Sequence, residues 1–101
     1  MKRKIRRRNH YCVYLVTCKN GTYYAGYTAN LERRLREHNA GKRGAKYVRG
    51  KGPVCLVWYK EYRYLHYAMS AEHRIKRLTR LEKEKLINGM RFDKVLALAG
   101  K

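Results

Sequence analysis

The sequence predicts an α/β (α+β) domain: a small three-stranded, mainly antiparallel sheet flanked by helices, in the order β-β-α-β-α-α. Three observations carry this. Residues 11–18 and 22–28 are rich in Tyr, Val, Leu and Thr and flank Asn20-Gly21, the pattern of a tight hairpin. Residues 31–38 place Leu31, Arg34, Leu35 and His38 at i, i+3, i+4 and i+7, the spacing of a helix face turned to a core. Residues 54–59 form a further apolar run behind Pro53, which suits the start of a strand. A chain of 101 residues is long enough for one modest core and too short for two.

The hairpin admits two registers. A two-residue turn at Asn20-Gly21 pairs Thr17 with Tyr24 and leaves Tyr14 and Tyr24 on opposite faces. A three-residue turn, Lys19-Asn20-Gly21 with Gly21 left-handed at a bulge, pairs Val16 with Tyr24 and makes the two tyrosines diagonal neighbours. Turn statistics slightly favour the first. Only the second lets the tyrosines share a site.

Asn30 can cap the first helix and Gly41 can end it. Arg33, Arg36 and Glu37 are free to face solvent, whereas Arg34 and His38 lie along or beside the buried stripe and need partners. Two readings stand level: Arg34 snorkels past the sheet edge and His38 is a satisfied structural histidine, or both serve a site. Residues 40–53 then hold four glycines and the cations Lys42, Arg43, Lys46, Arg49 and Lys51, with Tyr47 among them and no acid. Such a loop can hold phosphates and stack a base, or be merely solvated. The near-continuous apolar character of residues 54–59 suggests a strand buried on both faces, beside the hairpin.

A second helix over residues 65–77 sets Ala68, Ala71, Ile75 and Leu78 on one side, with Glu72 in the same stripe. An inward Glu in so basic a chain is either ion-paired or a metal ligand, and spacing alone favours the ion pair. Thr79 followed by Glu82 is a capping box that opens a helix running to Gly89. The chain therefore divides into a basic flexible arm (1–10), a folded domain (11–89) and a tail or short helix through Phe92, Val95 and Leu96 (90–101).

Charge narrows the function classes. With 26 Lys plus Arg against 7 Asp plus Glu, the net charge is +19, which strains a compact chain unless a polyanion neutralises part of it. Nucleic acid is the expected partner, and the same charge argues for a monomer. No apolar run approaches the roughly 20 residues that span a bilayer, so no membrane role is expected. The arm, with Lys2, Arg3, Lys4, Arg6, Arg7 and Arg8, lacks the apolar segment of a secretory signal and suits a phosphate backbone. Cys12, Cys18 and Cys55 are odd in number and without metal-ligand spacing, which points to buried reduced thiols, no structural zinc and a cytoplasmic setting.

Cys12-Val13-Tyr14, then Tyr24-Ala25-Gly26, Leu31-Glu32-Arg33-Arg34-Leu35, His38 and Glu72 before Ile75-Lys76 together resemble the GIY-YIG nuclease superfamily. The closest likeness is to its small stand-alone bacterial members of unassigned function. It covers roughly residues 11–88. Cys12-Val13 stand where the family usually has Gly-Ile, and Ala25 where it has Ile; these residues keep a strand, and both tyrosines and Gly26 remain. The resemblance implies the GIY-YIG endonuclease fold with both tyrosines on one face, hence the bulged turn. It further implies that Glu72 holds one divalent cation, Mg²⁺ or Mn²⁺, completed by waters, and that Arg34 steadies the phosphate. Tyr14 is then the candidate general base, with a phenol lowered by Arg34 and the metal, while Tyr24 orients water and His38 relays a proton. The expected activity is a divalent-metal-dependent endonuclease acting on DNA, structure-selective or non-specific; RNA as the ligand stays open, because tyrosine stacking and phosphate contacts do not distinguish the two. Its rival is a catalytically inactive nucleic-acid-binding module on the same fold. No recognition helix is evident, so sequence specificity would come from a separate protein partner.

Overall fold

The hairpin takes the bulged register. In the computed structural model, which describes residues 10–40 and 53–100, β1 (Tyr11–Thr17) and β2 (Tyr23–Thr28) pair antiparallel, with Val16 opposite Tyr24 and Tyr14 opposite Gly26. The Cys18 N–H donates to the Thr22 carbonyl at 2.8 Å, and the Gly21 N–H donates to the Cys18 carbonyl at 2.9 Å. Gly21 has φ +85°, a left-handed conformation that glycine adopts without a Cβ penalty. The Asn20 side chain accepts from both the backbone N–H and the hydroxyl of Thr22, so the turn is pinned by its own polar groups.

The third strand, β3 (Cys55–Tyr62), lies beside β1 in the sheet order β2-β1-β3, and both pairings are antiparallel. Burial on both faces belongs to β1, not to β3. Residues 12–16 of β1 are all buried, whereas β3 is half-buried or exposed along its length, and Tyr59 is exposed. The reason is position: a central strand is covered by neighbours on both edges and by a layer on each face, and β3 is an edge. An apolar run reports burial in general and not the place of the strand in the sheet. A bulge between Leu15 and Val16 leaves Val57 as the extra residue of β3, and Val57 and Trp58 pack on the same side of the sheet. None of the three cysteines forms a disulfide; Cys12 and Cys18 are buried, and Cys55 is exposed on this edge.

Alternation along β1 feeds two cores. Val13 and Leu15 point to a layer made by α2 (Leu65–Lys76), α3 (Arg80–Ile87) and α4 (Phe92–Ala99), where Ala71, Ile75, Leu78, Leu86, Val95 and Leu96 are buried. Cys12, Tyr14, Val16 and Cys18 point the other way, to Leu31 and Leu35 of α1 (Leu31–Ala40) and to Val54. The helix ends follow their chemistry. The Asn30 side chain accepts the Arg33 N–H at 3.1 Å, capping α1. Thr79 and Glu82 form the reciprocal capping box of α3. The far end of α3 closes with Gly89 at φ +105°, its N–H on the Leu86 carbonyl and the Met90 N–H on the Lys85 carbonyl, a Schellman stop. Residues 92–99 are a helix that buries Val95 and Leu96, and its Phe92 meets Trp58 edge-on at 5.6 Å between ring centres. Gly41 and the Gly/Lys/Arg loop, with Lys42, Arg43, Lys46, Tyr47, Arg49 and Lys51, lie outside the described residues, as do Arg6, Arg7 and Arg8 of the arm.

Candidate functional site

The α1 face of the sheet buries polar groups. Tyr14 is 1% exposed and His38 2% exposed, and Tyr14 Oη lies 2.8 Å from His38 Nε2. Three local features bring them together. The bulged register puts Tyr14 and Tyr24 on this face, the α1 stripe turns His38 inward one turn beyond Arg34, and Gly26 leaves room for the Tyr14 ring. A Cβ on Gly26 would overlap the Tyr14 hydroxyl oxygen and lie 2.7 Å from its Cζ. Those atoms belong to a buried, hydrogen-bonded ring, so they cannot swing aside. Gly26 is therefore a requirement of the tyrosine opposite it. The Tyr24 ring packs edge-on against the His38 ring, 5.7 Å between centroids at 75°.

Arg34 joins this pair. It hydrogen bonds to Tyr14, and its Nη1 donates to Glu37 Oε1 at 3.1 Å. A guanidinium can only donate, so Tyr14 Oη accepts from Arg34, while its hydrogen bond with His38 Nε2 runs to or from the imidazole according to the His38 tautomer. Glu37 is where the solvent-facing expectation fails. It is half-buried and takes Arg34 on one oxygen and the Arg33 Nε at 3.7 Å on the other. The i, i+3 spacing of Arg34 and Glu37 carried that signal. Asn39 then ties the end of α1 to the start of the third strand, its Oδ1 accepting the Val54 N–H at 2.7 Å.

The electrostatics follow from burial. Burial pushes the Tyr14 phenol up to about 12; the hydrogen bond from Arg34 pulls the other way, and the charges of Tyr24 and Glu72 add to the rise. The lowered phenol expected for Tyr14 is thus reversed among the chain's own residues, because the desolvation of a phenolate outweighs one guanidinium. Burial likewise pushes the His38 imidazole down to about 4, reinforced by Arg34 and opposed by Glu37. Against burial, hydrogen bonds to Glu37 and Tyr14 hold the Arg34 guanidinium above its ordinary value. At neutral pH the centre is therefore a neutral phenol and a neutral imidazole beside a fixed cation. Among the described residues, no buried side-chain nitrogen or oxygen lacks a hydrogen-bond partner.

Glu72 comes from the other layer. Ala68, Ala71 and Ile75 anchor α2 on the sheet, and the two alanines allow a close approach to β1 and β2. This leaves Glu72 at the border of the stripe, 19% exposed and 3.6 Å from Lys76. Its charge reaches the Tyr14 phenol. So the ion-pair expectation for Glu72 is met by Lys76, one turn away. Among the described residues no three His, Cys, Asp or Glu side chains converge. What the chain offers a cation there is one hard carboxylate, a donor set that suits an ion retaining most of its water shell.

Comparison with known proteins agrees with this fold. The model of the GIY-YIG catalytic domain matches residues 10–85. A UPF0213 protein of Halobacterium salinarum is 50% identical over 74 residues, covering 73% of this chain and 95% of that protein. A UPF0213 protein of Bacillus cereus is 46% identical over 77 residues, covering 76% and 79%. Two solution NMR structures share the fold. A UPF0213 protein of Bacillus halodurans has a TM-score of 0.51 at 42% identity, covering 77% of this chain and 82% of that one. The protein EF2693 of E. faecalis has a TM-score of 0.54 at 39% identity, covering 81% and 85%. These names assign no activity.

Proposed function

Because the chain belongs to the GIY-YIG catalytic domain family, we propose that it is a divalent-metal-dependent endonuclease hydrolysing phosphodiester bonds in DNA, structure-selective or non-specific. The observation that carries the reading is the buried Tyr14–His38 hydrogen bond with Arg34 on the same phenol. A core built only for stability has no use for a phenol, an imidazole and a guanidinium at one point, since each must be desolvated and satisfied.

The residues divide the work as follows. Arg34, held from behind by Glu37, directs its remaining N–H groups at the equatorial phosphate oxygens, where charge grows in the transition state. Water at the Tyr14 hydroxyl passes a proton to Oη as Tyr14 passes its own to His38 Nε2, so the two residues act as one base and the phenol is never left ionised. His38 is hydrogen-bonded through Nε2 to the Tyr14 hydroxyl and works through it. Its imidazole stays unprotonated down to about pH 4, so at neutral pH its acceptor nitrogen is vacant, while the same low value makes it a weak base. Tyr24 orients the water. A cation such as Mg²⁺ or Mn²⁺ on Glu72, completed by waters, would supply the positive charge that acidifies water and neutralises phosphate. No membrane role enters, and no helix among the described residues is long and apolar enough to cross one.

One observation favours the binding-module reading: a phenol raised to about 12 and a Glu72 already paired with Lys76 describe a centre that is not primed without its metal. Cleavage of supercoiled plasmid and of branched and single-stranded oligonucleotides with Mg²⁺, Mn²⁺ or EDTA separates the two. The nuclease reading expects cutting that requires metal and vanishes in Glu72→Gln while binding persists. Binding without cutting by the parent protein on every substrate supports the module instead.

A further inference from the structure

The corner where the third strand hands over to α2 exposes a run of rings. Tyr64 is 52% and Tyr67 54% exposed, and Leu65 and His66 between them are exposed as well. The rings lie against one another. Tyr64 and His66 are stacked at 6.0 Å and 25°, and His66 and Tyr67 approach to 4.1 Å. The Arg63 guanidinium sits 5.8 Å from the Tyr64 ring centre. A hollow of about 510 Å³ beside them is lined by His10, Tyr11, Arg63, Tyr64 and Leu65.

This arrangement serves stability poorly. Tyr64 occupies the N-cap position of α2 and makes no side-chain cap hydrogen bond, and no acid stands in the first turn, although Ser, Thr, Asp or Asn there would stabilise the helix. Large apolar rings kept in water, beside a cation and with no acid among residues 62–71, match what unpaired bases on a phosphate chain require: π-faces for stacking and positive charge for the backbone. Leu65 and Glu72 are seven residues apart on one helix, about 10 Å along its axis. One strand can therefore touch both.

We infer that the Arg63–Tyr67 corner is a stacking platform for unpaired bases, so that the substrate of the nuclease centre is nucleic acid with a single-stranded segment. Duplex alone, whose bases are already stacked on each other, leaves the platform unused. The inference rests on the nuclease reading for its purpose but not for its test.

The test is binding in EDTA by the full chain, using three fluorescent DNA probes of equal length: a mixed-sequence single strand, its duplex, and a strand with a block of abasic sites that keeps the phosphates and lacks the bases. The parent protein is expected to bind the single strand at least tenfold more tightly than the abasic strand. Tyr64→Ala/Tyr67→Ala should lose that tenfold on the single strand and change duplex affinity less than twofold, while Tyr64→Phe/Tyr67→Phe should keep parent affinity because the face and not the hydroxyl stacks. Both side chains are exposed, so unchanged melting of the variants is expected. Equal losses on single strand and duplex, or no loss on either, overturn the inference. Cleavage plays no part in these readouts, so a protein that cuts nothing can pass and an active nuclease can fail.

Discussion

The two faces of one strand make the central comparison. On the α2–α4 side, Val13 and Leu15 meet Ala71, Ile75, Leu78, Leu86, Val95 and Leu96, and the buried cluster is apolar, with Glu72 at its border. On the α1 side, Tyr14 enters a pocket that also holds His38, Tyr24 and Arg34. Backbone, strand and hydrogen-bonded register are shared, so the difference lies wholly in side chains. The first face supplies burial, at roughly 25 cal/mol per Å² of apolar surface. The second gives up part of that gain to hold ionisable groups in a fixed arrangement, which is the pattern of a site carried on a stable scaffold.

Substitutions on the two faces should therefore fail in different ways. The largest effect belongs to Arg34→Ala, which removes the cation proposed to face the phosphate. Cleavage should fall about 100- to 1,000-fold, with the melting temperature little changed, as single-turnover rates beside thermal unfolding will read. Ile75→Ala should do the reverse. It deletes fully buried methylenes of the apolar face and should lower stability by about 2–5 kcal/mol, while the rate per folded molecule stays near parental when assayed well below the melting point.

Acid sharpens the contrast. The His38 imidazole sits at about 4 in the fold against 6.5 outside it, so between those values the unfolded chain binds the extra proton. Stability from this group is complete above pH 6.5 and is lost as pH falls toward 4, by about 3 kcal/mol in total. Denaturant titrations from pH 7 to 4 should show that slope in the parent and its loss in His38→Gln, whereas Ile75→Ala should keep it. At the other end, Tyr14 is raised from 10 to about 12, so its contribution is complete below pH 10 and fades up to about 12. Smaller still is Gly26→Ala. It adds one carbon where the Tyr14 ring already lies and should destabilise by about 1–3 kcal/mol, and by displacing Oη from His38 it should lower activity more than so small a change in volume suggests.

Most of this architecture was readable before the fold was seen, for reasons that differ by element. The capping box of α3 and the Asn30 cap of α1 are local chemistry, and local chemistry is written in adjacent residues. The bulged turn was one of two local solutions, and the resemblance, not turn statistics, chose it. The placement of the third strand at an edge was not readable, because an apolar run does not name its neighbours. Glu37 was misassigned to solvent by its place off the buried stripe, although its i, i+3 spacing from Arg34 already carried the signal of the ion pair. The pull of burial on Tyr14 was also out of reach: the guanidinium beside it is visible as a residue type, whereas the depth of the pocket is a property of the whole fold. Gly26 stood in the motif, but its reason, the ring across the pair, needed the register.

Tyr14→Phe tests the account most directly, since it removes one oxygen from the polar face and leaves the ring, the packing and the rest of the chain in place. The measurement is metal-dependent cleavage by Tyr14→Phe at neutral pH, with nucleic-acid binding and melting followed on the same preparation. The account predicts a loss of about 100-fold or more in cutting with binding kept and the fold intact. Cleavage at the parental rate with the same metal dependence would contradict it, leaving the Tyr14–His38 hydrogen bond as a structural contact and moving the base elsewhere.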